Sequence, residues 1–284
     1  VLGLVLAHGG HLTHGSPVNV SGKWFTFVGY EVDRETEQLD YDRIRELAME
    51  HRPKVVLAGY TAYPRLIDWA AFRSIDDEGG AMLGGDASHF VVTFTTHKTL
   101  RGPRGAIILS REEHAKAIDK AVFPMMQGGP LEHVIAAKAV CLKEAMDPSF
   151  GEYAARVVRT SRALAQGLAD EGVRIVSGGT DSHLSLCDVR PLGIGGKQAE
   201  AVCDEIGIAI NKNGIPFDPQ PPMDPSGIRV GTPGPATHGM DEPEMKEVAS
   251  IIGATLRDPG DPEVEAASRA RVAELMGRFP AYAG

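Results

Sequence analysis

The chain has 284 residues, 43% hydrophobic and 24% charged, with a formal net charge of -9. This is the composition of an ordinary globular protein of one large or two modest domains. An acidic balance without a block of Lys and Arg argues against nucleic acid, and no apolar run approaches a membrane span or reads as a signal peptide. The three cysteines (Cys141, Cys187, Cys203) are far apart and lack metal-ligand spacing, so they read as reduced thiols of a cytoplasmic protein.

Residues 1–6, VLGLVL, are an apolar run that reads as a buried strand. A chain opening inside such a strand, without an initiator methionine, reads as part of a longer one. AHGGHLTHG follows, with His8, His11 and His14 at three-residue spacing. Imidazoles can hold zinc, but Gly9-Gly10 prevents a helix from aligning the rings and no carboxylate or thiolate completes a set, so no metal is expected. Residues 40–48 have helical spacing with acidic residues at the start, and Pro53 ends that stretch. A buried strand is predicted over 54–59, then YTAYPR, a helix around 68–75 and a short apolar run at 81–83. This alternation predicts a mostly parallel α/β sheet with its site at the carboxyl ends of the strands.

Asp86 follows the third of these runs. A carboxylate there can pair with a protonated ring nitrogen. Residues 91–96, VVTFTT, and 106–109, AIIL, read as two buried strands. Between them Lys98 is flanked by His97, Arg101 and Arg104. Burial and neighbouring cations both depress a lysine pKa, and a neutral amine is what attacks an aldehyde to form a Schiff base. Residues 112–122 form a solvated amphipathic helix, and Gly128-Gly129-Pro130 leads into another over 131–138. Backbone amides at such a turn can bind a phosphate. Asp147-Pro148 marks a boundary. Beyond it come a long helix over 152–170, strands at 173–177 and 185–189, a helix over 197–206, a strand at 208–211 and a charged tail helix over 263–279. This is a βαβ-like mixture fitting a second, smaller α/β domain. Arg229 lies among small residues in a strand, where burial is costly unless an anion pairs with it, and guanidinium suits a carboxylate.

Six stretches in order, LAHGGHLTHG, DASH, THKTLRGPRG, FPMMQGGPLEH, NGIPFDP and SGIRVGTP, resemble the motifs of the serine hydroxymethyltransferases. The resemblance implies a pyridoxal 5'-phosphate (PLP) enzyme of the aspartate-aminotransferase-like fold, with a PLP-binding large domain over 1–146, incomplete at its amino end, and a small domain over 147–284. It implies transfer of the serine hydroxymethyl group to tetrahydrofolate, giving glycine and 5,10-methylenetetrahydrofolate, by a cytoplasmic homodimer or dimer of dimers. The implied catalytic residues are Lys98, which carries the cofactor, His11, which lies on its ring, Asp86 and His97. His89, Thr61, Thr95, Gly128 and Gly129 complete the cofactor site, the two glycines reaching the phosphate of a neighbouring subunit. Arg229 holds the substrate carboxylate, Arg104 joins it, and Leu6, Gly10, Leu12 and Asn213 touch folate.

The sequence departs from the family pattern at several points. Phe90 runs straight into Val91 where the family has a loop-sized segment, and Gly84-Gly85 stands where apolar residues are usual. Met125 replaces a glycine and Thr61 a serine, and the family's amino-terminal third, with its phosphate-binding Ser/Thr loop and reaction Glu and Tyr, has no counterpart. The alternatives are a paralogue acting on 2-methylserine or 3-hydroxy amino acids, and a non-catalytic remnant of the fold.

Overall fold

The apolar runs of the first third form the strands they predict, each beside its neighbour in parallel. The structure, a computed structural model, describes residues 1–85 and 91–281, with Val91 described by its backbone alone. Its first part comprises β1 (Leu2–Leu4), α1 (Val20–Trp24), β2 (Val28–Tyr30), α2 (Tyr41–His51), β3 (Val55–Ala58), α3 (Trp69–Gly79), β4 (Met82–Gly85), β5 (Val91–Thr95) and β6 (Ala106–Ser110). The strands make one sheet in the order β2-β1-β3-β4-β5-β6, parallel except for the last pair. β1 is buried at all three positions, and Leu2, Leu4, Val56, Ala58 and Leu83 form the floor on which Ile44 of α2 and Phe72 and Ile75 of α3 pack. Both helices open on an aspartate. Asp40 accepts from the Asp42 and Arg43 amides and Asp68 from the Ala71 amide, filling donors that a helix start leaves free.

β6 runs antiparallel because residues 96–105 are too few for the crossover a parallel return needs. β6 is also an outer strand, and Ile108 and Leu109 are exposed. The expectation that both strands around Lys98 are buried therefore fails: β6 is largely exposed, and in β5 Val92, Phe94 and Thr95 are half-buried and Thr93 is exposed. Between β4 and β5, which pair in parallel, the chain has only residues 86–90. That is well short of the dozen or so residues that a parallel crossover ordinarily takes.

α4 (Glu112–Lys120), a turn at Ala121–Met126 and α5 (Glu132–Ala145) lead to the second part. It comprises α6 (Pro148–Asp170), β7 (Arg174–Ile175), β8 (Leu184–Asp188), α7 (Gly196–Glu205), β9 (Asn211–Asn213), β10 (Gly227–Gly231), α8 (Pro233–Thr237), α9 (Glu242–Arg257) and α10 (Pro262–Arg278). Its sheet, in the order β7-β8-β10-β9, is antiparallel throughout, which corrects the βαβ-like reading. β9 starts at Asn211 rather than at 208 because β10 offers partners only from Arg229 opposite Asn211 to Gly227 opposite Asn213. Ile208 and Ile210 instead pack on the core. That core joins Leu164 and Leu168 of α6, Cys187 of β8, Ile228 of β10 and Met245, Ala249, Ile252 and Leu256 of α9.

The two parts meet through charge and polar contacts. Arg174 binds Glu37 at 3.0 Å, and Arg65 reaches Asp181 at 3.5 Å and donates to the Ser177 carbonyl. Among the described residues no helix is long and apolar enough to cross a membrane.

Candidate active site

The Lys98 turn is held closed by its own backbone. Thr96, fully buried at the end of β5, donates from Oγ1 to the Pro103 carbonyl at 2.6 Å. Its carbonyl accepts from the Gly102 amide at 2.7 Å, and its amide donates to Gly105 at 3.0 Å. The Arg101 amide donates to the Lys98 carbonyl at 2.9 Å. Arg101 adopts a left-handed φ of 60°, and its guanidinium lies 4.0 Å from the centre of the Tyr153 ring of α6. Cys141 of α5 donates to the Leu100 carbonyl at 3.4 Å, and a β-carbon at Gly102 would sit 2.5 Å from its sulfur, so glycine is required there. This frame leaves Lys98 exposed, without an ion pair among the described residues. The burial expected to neutralise the amine is therefore absent from this chain's own fold.

His97 and Arg104 face each other across the turn. Arg104 Nη1 and His97 Nε2 are 3.4 Å apart, and His97 Nδ1 lies 3.2 Å from the Gly105 carbonyl. The Gly105 amide also approaches His97 Nδ1, at 3.3 Å. Thr95 ends β5 opposite Ala106 and is half-buried.

A second group forms where the loop after β1 meets the loop after β3. The Gly9 carbonyl accepts from the Thr61 and Ala62 amides at 2.9 and 3.1 Å. A β-carbon at Gly10 would lie 2.2 Å from the Leu4 carbonyl, so only glycine lets the chain turn there. His11 is half-buried, its Nδ1 2.7 Å from Thr13 Oγ1, and Leu6 and Leu12 are exposed. Its ring centre is 5.4 Å from that of His14, but among the described residues no three His, Cys, Asp or Glu gather as metal ligands. Arg229 of β10 joins this group. Its guanidinium donates to the Thr61 carbonyl at 3.2 Å and to Asn211 Oδ1 at 3.0 Å, and burial lowers its pKa. Among the described residues it has no carboxylate partner. The register of β9 against β10 places Asn213 on the same face of the sheet as Arg229. Thr61 Oγ1 is buried without a hydrogen-bond partner in the described structure.

His183, which the sequence reading passed over, links the two groups. The residue is exposed, and its pKa is lowered from 6.5 by the surrounding protein and by the positive charges of Arg229 and Lys98. Lys98, Arg229 and His183 therefore share one electrostatic neighbourhood. His183 precedes β8, and its carbonyl accepts from the Thr232 amide beyond Arg229. Only the pairing of β8 with β10 reveals that proximity, and nothing in a lone Ser-His-Leu signals it. Gly128 and Gly129 are not brought to this site. They are exposed, and a β-carbon on either would meet nothing within 4 Å. The expectations for Asp86 and His89 lie outside the described residues.

Comparison with known proteins places the chain in a family. A sequence profile described as serine hydroxymethyltransferase matches residues 1–252. The protein named serine hydroxymethyltransferase from Synechococcus sp. (strain JA-3-3Ab) is 53% identical over 312 positions, covering 99% of this chain and 72% of that protein. Those of Koribacter versatilis (strain Ellin345) and Cyanothece sp. (strain PCC 7425 / ATCC 29141) are 53% and 52% identical, each over 99% of this chain and 70% of its own length. The 312 aligned positions exceed the 284 residues of the chain, so at least 28 of them have no residue here. The chain belongs to the serine hydroxymethyltransferase family.

Proposed function

We propose that this chain builds the site at which a PLP-dependent enzyme transfers the hydroxymethyl group of serine to tetrahydrofolate, giving glycine and 5,10-methylenetetrahydrofolate. The family depends on PLP and takes tetrahydrofolate as co-substrate. When bound, the cofactor supplies an electron sink for the amino acid's α-carbon. The observation that carries the proposal is Arg229, a partly buried guanidinium satisfied, among the described residues, only by neutral acceptors. Such a cation is costly to keep without an anion, and a substrate carboxylate supplies one in bidentate geometry. The orphaned Thr61 hydroxyl beside it is a second group fit for an anionic ligand.

In this account Lys98 offers its amine from the open tip of a closed turn, and His97 and Arg104 define the wall beside it. His11 lies along the cofactor ring, and Thr61 and Thr95 contact the cofactor. Leu6, Gly10, Leu12 and Asn213 receive the folate. Asp86 and His89 are assigned to the cofactor by resemblance. The division into domains over 1–146 and 147–284 falls between α5 and α6 and puts the site where the two parts meet. We also assign a homodimer, in the cytoplasm. α5, β6 and residues 123–131 expose Ile108, Leu109, Phe123, Met126, Leu131 and Ile135, an apolar surface of the kind that a second subunit covers. Gly128 and Gly129 stand exposed on this surface, and we assign them to a neighbour's phosphate.

The test is Arg229→Lys. Losing the bidentate geometry should weaken serine and glycine binding by about 2–5 kcal/mol, the range for a broken desolvated charge pair, while PLP affinity stays as it was. Unchanged amino-acid affinity would make Arg229 a structural residue.

A further inference from the structure

The loop that carries Gly9, Gly10 and His11 is tied to the second part of the molecule by His8, which is 5% exposed. Val32 N–H faces its Nδ1 and Phe217 N–H faces its Nε2, each at 3.4 Å. The Phe217 ring packs on the imidazole with centres 4.4 Å apart, and the Arg34 guanidinium lies 4.4 Å from the centre of that same ring. Phe217 holds a left-handed φ of 55°, uncommon for a residue with a β-carbon. The turn around it is braced by Asp218, whose carboxylate accepts from the Ile215, Gln220 and Ser226 amides and from Ser226 Oγ at 2.6 Å. The strained conformation therefore aims one ring at one imidazole.

Both ring nitrogens of His8 thus look at backbone donors. A neutral imidazole has one nitrogen able to accept, and an imidazolium has none. Protonation would set N–H against N–H on both sides of a buried ring. Of the charged groups that act on it, Glu31 favours the cation and Arg34 opposes it, but burial outweighs both and lowers the pKa below 6.5.

We propose that His8 is a positioning residue that, in its neutral form alone, clamps the loop of residues 6–12 onto the turn of residues 213–218 and so aligns the two walls of the folate site. The proposal rests on the folate assignment above. Because the folded pKa is depressed, the opened state takes up a proton more readily than the clamped one. The clamp is complete above about pH 6.5 and weakens as the pH falls below it.

Two readouts on the full chain test this, one of them on the protein without its cofactor. Hydrogen exchange of peptides covering 6–12 and 213–218, corrected for intrinsic rates, should show protection falling between about pH 8 and about pH 5.5 in both segments together. Over the same interval the KM for tetrahydrofolate should rise about three-fold or more while the KM for serine changes less than about two-fold. His8→Gln, which cannot titrate, should flatten both pH dependences. Phe217→Asn, which suits a left-handed backbone but removes the ring, should raise the folate KM at every pH and leave exchange in α9 unchanged. Protection and folate KM that ignore pH, or a His8→Gln protein that keeps the wild-type dependence, would overturn the clamp. A protein that exchanges as described but never turns over serine with tetrahydrofolate would instead overturn the functional assignment.

Discussion

α5 and α9 are helices of similar apolar content with opposite fates. α9 buries Met245, Ala249, Ile251, Ile252, Gly253, Thr255 and Leu256, and Asp241 and Glu244 close its start as a capping box. α5 buries only Cys141 and leaves Ile135, Val140 and Leu142 exposed, although its apolar residues run around the whole helix. A helix apolar on every side is ordinarily an interior helix. The second part of the molecule satisfies its own surfaces. The region after β5, which carries the Lys98 turn, does not, so the contrast separates what this chain completes alone from what the proposed second copy would complete.

The largest expected effect lies on the self-sufficient side. Asp188 of β8 is 2% exposed and accepts from Arg174 Nε at 3.0 Å and from Arg190 Nη2 at 2.7 Å. Burial works against its charge, but the hydrogen bonds from Arg190 and Arg174 together outweigh it and lower its pKa. Asp188→Ala should cost about 2–4 kcal/mol in denaturant unfolding at neutral pH, the two half-exposed arginines recovering part of their hydration. A depressed folded pKa means that the contribution is present above 3.8 and is lost as the pH falls through the folded value, so wild type and variant should converge in acid. A cost of a few tenths of a kcal/mol would show that the second part is not held by this cluster.

On the open side the expected stability change is small and the assembly change large. Ile135→Glu combined with Val140→Glu replaces two exposed apolar residues of α5 and should shift the unfolding free energy by no more than about 1 kcal/mol. If the proposed dimer forms through α5, the same pair should convert it to a monomer in sedimentation. A variant that stays dimeric would remove α5 from the interface, and one that fails to fold would show that α5 belongs to the chain's own core.

How much of this was legible in the sequence follows the same division. β1 and β3 were readable because a parallel strand inside a covered sheet leaves an unbroken apolar run, and β5 because its β-branched and aromatic residues suit a strand although none of its described side chains is fully buried. The same run of β-branched residues in β6 misled, since an outer antiparallel strand can carry apolar residues meant for another chain. α9 went unread despite Asp241, Glu244 and the spacing of Met245, Ala249, Ile252 and Leu256, which are the cap and stripe of an ordinary helix. At the site, Arg229 was found because an arginine among small strand residues is costly in any fold. His183 was not, because its place beside Arg229 and Lys98 exists only once β8 pairs with β10. His8 was read as one of three evenly spaced histidines, whereas its partners are Val32 and Phe217.

The central claim is that Lys98 is the lysine that bears the cofactor. Its rivals are already engaged or distant in sequence from the turn. Lys212 is paired with Glu200 at 2.7 Å, Lys138 donates to the Ala106 carbonyl at 2.8 Å, and Lys54 precedes β3. Borohydride reduction of the PLP-loaded protein, followed by peptide mapping, should place the pyridoxyl label on Lys98. A label on Lys54, Lys138 or Lys212 would contradict the account.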